Sequence, residues 1–303
     1  MAPDEELPQT SLTFAGLPSR PADRVAARFV VLPVPYEATT EWLSGTRHAP
    51  ASIIESSRLL ELYDHELDID ISTLGIATAD ELPPVLSGPK QMVAAVSGEV
   101  ASWLDRDKIP VLLGGEHTIT IGAVEAAAER YPDLTVLQLD AHADLRDEYM
   151  NARWSQATVM RRVHEICPSI AQVGIRSLSA AERRFIREND IPVVFWPPHD
   201  EAWRKSLVKT LHTHVYVTID ADVFDPAVLP WVGTPEPGGP GWSDILALLR
   251  DVARERNVVG FDVVEFSPYG SGAATSAYTL AKLIYRFIGY AGIAPRLEAT
   301  RDD

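Results

Sequence analysis

Seven short, mostly apolar runs constrain this chain more than any other feature. They fall at residues 29–33, 110–113, 134–139, 171–175, 193–195, 215–219 and 258–264. A strand with one wet face alternates apolar and polar residues, whereas a nearly continuous apolar run is buried on both faces. Between the runs lie amphipathic stretches at 89–105, 119–131, 156–166, 180–188, 201–212, 243–254 and 275–290, which read as helices. Strands and helices alternating in this way predict an α/β fold, a parallel sheet covered by helices on both sides. No repeat or long linker divides the chain, so residues 14–294 read as one domain. Residues 1–13 read as a polar, Pro-containing arm and residues 295–303 as a frayed tail.

Ligands of open parallel sheets bind beyond the carboxyl ends of the strands, and the polar clusters of this chain fall there. "LLGGEHT" carries His117; "LDAHAD" carries Asp140, His142 and Asp144; "VTIDADVFDPA" carries Asp220 and Asp222. Taken singly, each has a bland explanation. An Asp at a strand end is most often a helix N-cap or turn residue, and Gly114 and Gly115 need only turn the chain out of a strand. Three such clusters, two of them Asp-x-His and Asp-x-Asp, favour metal binding instead.

Spacing and charge sharpen that reading. On an extended strand, residues i and i+4 stand about 13 Å apart, which one ion with bonds of roughly 2.0–2.2 Å does not span. Either the chain curls at Asp140, or two ions share the ligands, or both. Two ions roughly 3.5–4 Å apart are a familiar hydrolytic arrangement. Four carboxylates held together would repel without counter-charge, and two divalent cations supply it. The set is rich in oxygen and lacks thiolate, which favours manganese, with iron, cobalt and zinc as alternatives.

The rest of the composition excludes more than it assigns. A net charge of −16 argues against nucleic acid or an anionic membrane as partner and is compatible with a cationic small molecule. The single cysteine, Cys167, permits neither an intrachain disulfide nor a Cys-based zinc cage, and suits a reduced, cytoplasmic setting. The N-terminal residues lack a basic segment followed by a long apolar stretch, so neither a signal peptide nor a membrane helix is expected.

"GGEHTIT", "DAHAD" and "DADVFDPA", in this order and spacing, resemble the metal-binding motifs of the ureohydrolases, the family of agmatinase and arginase. "LPVPYEATTEWLSGTRHAPASI", "GTPEPGG" and "GFDVVEFSP" are similar to that family as well, and the likeness runs from about Phe14 to Gly292. The resemblance implies a three-layer α/β/α fold with an eight-stranded, mostly parallel sheet and two Mn2+ ions per chain. It implies His117, Asp140, Asp144 and Asp220 as ligands of one ion, and Asp140, His142, Asp220 and Asp222 as ligands of the other. It further implies that Glu265 binds a guanidinium, that Thr234 lies on a pocket-lining loop, and that the chain forms trimers or hexamers. The metal pair would lower the pKa of a shared water, and Asp144 would carry a proton to the departing amine. The implied reaction is the hydrolysis of agmatine to putrescine and urea, a step of polyamine biosynthesis.

Two features leave alternatives open. Arg146, in "DLRDEYMN", stands where arginase-like sequences carry small polar groups. It either pairs with Asp147 or Glu148 or meets a substrate carboxylate, which keeps guanidinobutyrate as an alternative substrate. Gln156, in "NARWSQATVMRRV", stands where most relatives have a histidine thought to shuttle protons. Glutamine does not titrate near neutral pH. Proton transfer then rests on Asp144 and solvent, or on another histidine such as His48 or His199; a low-activity or regulatory metal-binding relative is the third option. Asp262 competes with Glu265 for the pocket role, and at i and i+3 on one strand the two would face opposite ways.

Overall fold

The computed structural model describes residues 12–200 and 202–294. Ten strands are present: β1 (Phe29–Val34), β2 (Tyr63–Asp64), β3 (Ile69–Asp70), β4 (Ile76–Thr78), β5 (Ile109–Gly114), β6 (Leu134–Leu139), β7 (Ile170–Ile175), β8 (Val193–Phe195), β9 (His214–Asp220) and β10 (Asn257–Val264). Eight form one sheet in the order β4-β1-β5-β10-β9-β6-β7-β8, with every neighbouring pair parallel. β2 and β3 pair apart from it, antiparallel.

Among the described residues, nine α-helices accompany the strands: α1 (Pro21–Ala26), α2 (Ala49–Ser57), α3 (Pro89–Leu104), α4 (Thr120–Arg130), α5 (Val159–Ile166), α6 (Ala180–Glu188), α7 (Trp203–Val208), α8 (Trp242–Glu255) and α9 (Ala273–Ile293). Two apolar layers cover the sheet. Val31, Val111, Leu137 and Phe261 face one layer with α2, α7, α8 and α9; Val30, Leu32, Leu112 and Val136 face the other with α3, α4, α5 and α6. Adjacent residues of one strand thus bury themselves in opposite layers, which explains why the runs are apolar throughout.

All seven expected strands are present, and the sheet is the expected three-layer α/β/α arrangement with eight parallel strands. The eighth strand, β4, is a three-residue edge strand held only by β1, too short to show a pattern in sequence. Three helix expectations change. Residues 156–158 form a 3-10 turn before α5 begins at Val159. Of the stretch expected at 201–212, residue 201 lies outside the described residues and the rest is α-helical only over Trp203–Val208. Helices α1 and α2 were not expected, because Pro21 and Pro50 interrupt their sequences; proline is accommodated in the first turn, where its missing N–H costs nothing. The arm and tail at 1–13 and 295–303 lie outside the described residues except for Leu12 and Thr13. Among the described residues, no helix is long and apolar enough to cross a membrane.

The chain order places the site. From β5 the chain skips over two sheet positions to β6, and β9 and β10 later fill the gap, so β5-β10-β9-β6 are the four central strands. Such a change of direction opens a crevice at the carboxyl ends. His117 follows β5, Asp140 follows β6, Asp220 ends β9 and Glu265 follows β10.

Candidate metal centre

The six predicted ligands converge above those central strands. His117 is fully buried, and its Nδ1 lies 3.3 Å from Asp140 Oδ2, 3.2 Å from Asp144 Oδ2 and 3.4 Å from Asp220 Oδ2. His142 is a quarter exposed; its Nδ1 lies 2.9 Å from Asp222 Oδ2 and 3.7 Å from Asp140 Oδ1. Two overlapping donor groups result, His117–Asp140–Asp220 and Asp140–His142–Asp222, sharing Asp140. The chain curls after Asp140, one of the alternatives the spacing left open. β6 stops at Leu139, and Asp144 has φ 52°, in the left-handed region. Its carbonyl accepts the Arg161 N–H at 3.1 Å, which helps hold a conformation that costs a non-glycine residue about 1–3 kcal/mol.

Backbone amides orient the carboxylates. Asp140 Oδ1 accepts from the His142 amide at 2.6 Å, Asp220 Oδ1 from the Asp222 amide at 2.8 Å, and Asp222 Oδ1 from the Ala141 amide at 3.1 Å. Each of these three thus has one oxygen bound to the backbone and the other aimed at an imidazole. Thr234 donates to Asp222 Oδ2 at 3.2 Å and lines the cleft. Gly115 explains the double glycine of "GGEHT": a Cβ there would sit 2.0 Å from the Tyr36 carbonyl oxygen.

The electrostatics describe a site that demands positive charge. Burial, then Asp144 and Asp222, push Asp140 up to about 7. Burial and the neighbouring carboxylates also raise Asp220 well above the usual range, and burial raises Asp144. Burial would lower His142, but Asp222, Asp140 and Asp144 outweigh it and carry the imidazole up to about 11. Asp222 goes the other way, to about 2, because His142 outweighs burial.

The donor set fits metal ions. His117 Nε2 lies 2.9 Å from the Thr218 hydroxyl, while its buried Nδ1 has no hydrogen-bond partner and faces three carboxylate oxygens. An imidazole nitrogen set among carboxylate oxygens calls for positive charge between them; against the opposing effect of burial, the carboxylates raise the His117 pKa well above its usual value, and a metal ion would take the place of that proton.

Glu265 follows β10 with φ 61°, also left-handed, anchored by its amide on the Gly115 carbonyl at 2.9 Å. Its Oε1 accepts the His117 amide at 2.6 Å, and its side chain lines the cleft. Burial raises its pKa well above the carboxylate range. Asp262, the competitor, does not line the cleft; it lies fully buried beneath His117.

The cleft measures about 210 Å3 and includes Gln156 and Arg146 in its wall. Among the described residues, His117 and His142 are its only lining imidazoles; His48 is exposed and stacks edge-on against Tyr269, and His199 is exposed. Neither takes the place of Gln156, whose backbone N–H donates to Thr39 Oγ1 at 3.2 Å. Arg146 meets neither Asp147 nor Glu148 but Glu182, at 3.9 Å, and lies 4.9 Å from the centre of the Tyr149 ring.

Sequence reasoning missed several supports. Glu116 is fully buried and accepts the amides of Ala38 and Thr39 at 2.5 and 2.6 Å, tying the loop after β1 to the site. Glu182 caps α6 by accepting the Ser179 amide and also accepts that of Leu145, so it braces the "DAHAD" loop. Arg176 donates to the carbonyls of Asp222 and Glu236, joining the third motif to the "GTPEPGG" loop. The capping spacing of Ser179 and Glu182 was visible; the other two bridge distant segments and had no local signal.

Eight parallel strands with a histidine–aspartate centre above their carboxyl ends define the metal-dependent, arginase-like class of α/β proteins. The chain belongs to the arginase family, whose profile matches residues 27–289, and it is a hydrolase. It is 38% identical over 281 residues to the N(1)-aminopropylagmatine ureohydrolase of Synechocystis sp., covering 89% of this chain and 91% of that protein. It is 36% identical to the agmatinase of Pyrococcus horikoshii, covering 87% and 92%. The crystal structure of agmatine ureohydrolase of Thermoplasma volcanium superposes with a TM-score of 0.82 at 30% identity, covering 91% and 94%.

Proposed function

We propose that this protein hydrolyses the guanidinium group of agmatine, giving putrescine and urea, with two manganese ions per chain. The observation that carries the reading is the imidazole nitrogen of His117 facing three carboxylates beside Glu265 in one cleft. The ions, held by the six ligands named above, supply a water acidified toward neutral pH. The side chains do the rest. Glu265 keeps Oε2 for the planar cation, which its buried carboxylate attracts by charge-assisted hydrogen bonding. Asp144 stands at the cleft wall, where it receives a proton and delivers it to the departing amine. Gln156 orients by hydrogen bonding without titrating.

The tail of the substrate lies toward Glu41 and Tyr149, which also line the cleft, the phenol hydrogen-bonded to Glu41. With Arg146 engaged by Glu182 and Tyr149, this end favours a cationic tail over the carboxylate of guanidinobutyrate. N1-aminopropylagmatine, which shares the guanidinium and carries a longer cationic tail, is the second reading, favoured by the name of the Synechocystis relative. A homo-oligomer, trimer or hexamer, in the cytoplasm completes the proposal.

Urea release by manganese-loaded protein from agmatine, N1-aminopropylagmatine, guanidinobutyrate and arginine tests it. We expect turnover of agmatine; absence of urea from every guanidine would sink the proposal. Urea appearing only in Gln156→His would instead identify a relative that has lost turnover.

A further inference from the structure

A row of buried polar side chains runs across the sheet one step below the metal centre. Gln172, Gln138, Thr218 and Asp262 sit side by side in register on β7, β6, β9 and β10. All four are fully buried. Polar groups are expensive there unless they are hydrogen-bonded.

The donors around Asp262 are all hydroxyls. Thr218 donates to Oδ1 at 2.6 Å; Thr120 and Tyr216 donate to Oδ2, each at 2.9 Å. A hydroxyl has one hydrogen. Thr218 gives it to Asp262, so toward His117 Nε2, 2.9 Å away, its oxygen only accepts. His117 must therefore carry a proton on Nε2, which leaves Nδ1 free to ligate.

We propose that Asp262, acting through Thr218, is a positioning residue that holds His117 with its proton on Nε2 and its lone pair turned to the metal centre. An imidazole's second nitrogen commonly sets the tautomer and ring direction of a metal ligand. Here one neutral hydroxyl transmits the polarity of a carboxylate to the ring. An amide in place of the carboxylate reverses that polarity. It can donate to Thr218, which is then free to donate to Nε2 and drive the proton to Nδ1.

The inference rests on the metal reading of the site, and one experiment separates the two. Metal-free wild type, D262N, T218V, T218S and the D262N/T218V double variant are dialysed against graded Mn2+ alone, and bound metal is counted, with melting curves to verify folding. Wild type should take up two ions. D262N and T218V should each lose about 10–100-fold in affinity for one ion and retain the other. T218S, which keeps the hydroxyl, should bind like wild type. The double variant should be no weaker than T218V, because the influence passes through a single hydroxyl. Should D262N fail to fold, T218V against T218S carries the comparison.

Wild-type affinity in T218V, equal weakening of both ions, or additive losses in the double variant would overturn the inference while leaving the metal reading intact. No Mn2+ uptake by wild type would overturn both.

Discussion

The two ends of the central strands carry ionisable groups in opposite circumstances. At the amino ends, a small cleft of about 100 Å3 is lined by residues including Lys108, Tyr131, His214 and Arg256. His214 Nδ1 meets Asp133 at 2.6 Å and its ring packs on Tyr131; Arg256 donates to the carbonyls of Leu211 and Val208; Lys108 donates to that of Val25. These charges find their partners within the fold. At the carboxyl ends, carboxylates face carboxylates, and the imidazole between them has an unused nitrogen. One end pairs its charges within the fold, while the other gathers four carboxylates whose charge protons or the proposed metal ions would offset. Buried charge by itself does not mark function; buried charge of one sign without its complement does.

Breaking the contrast at its strongest point should produce the largest effect. Asp220→Asn removes one charge from the crowded end. Urea release should fall by about 1,000-fold or more if Asp220 is the metal ligand proposed above. The metal-free protein should melt no lower than wild type at pH 8, because burial and the neighbouring carboxylates already disfavour the Asp220 charge. Activity assays beside calorimetry check both signs; a lower melting point in the metal-free variant would contradict the account of the crowded end.

Glu265→Gln keeps the shape and the acceptor for the His117 amide but removes the charge offered to the guanidinium. A hydrogen bond to a charged group contributes about 1.5–3 kcal/mol, so kcat/KM should fall by roughly 10–150-fold. Metal content measured by elemental analysis should not change, which separates this variant from a lost ligand.

The pH dependence of stability reads the same contrast. Asp140 rises from about 3.9 in an unfolded chain to about 7 in the fold, so its stabilising protonation is complete below pH 4 and lost as pH rises through 7. His142 rises from about 6.5 unfolded to about 11, so its contribution is complete below 6.5 and lost as pH rises through 11. Both groups bind protons more tightly when folded, and both signs agree. Chelator-treated protein should therefore melt several degrees lower at pH 8 than at pH 6. Excess Mn2+ should reverse the slope, because ions displace those protons and bind more tightly as pH rises. Parallel slopes with and without metal would refute the assignment of these groups.

How much of this was legible beforehand depends on the range of the signal. Seven strands and the six convergent side chains were readable, because each lies in a short segment whose pattern is self-contained: "VLQLDAHAD" is at once an apolar strand and a run of candidate ligands. β4 was not, being three residues at an edge, nor were α1 and α2, whose prolines mask legitimate first turns. Arg146 found a partner in Glu182, 36 positions away, rather than in the adjacent acids. Asp262 illustrates the limit best. Its position on β10 was plain, but its work depends on strand order, which sets it beside Thr218 and under His117.

The smallest effect belongs to the amino end. His214→Ala removes the contact with Asp133 and the packing on Tyr131, where the two side chains are 17% and 37% exposed. A partly exposed pair of this kind contributes about 1 kcal/mol or less, which for a chain of this size lowers the melting point by roughly 2–4 °C at most. β9 runs seven residues from His214 to Asp220, placing the substitution about 20 Å from the metal centre. Urea release and manganese uptake should stay at wild-type levels. If they fell together with stability, the two ends of the sheet would be coupled, and the amino end could no longer be treated as structure alone.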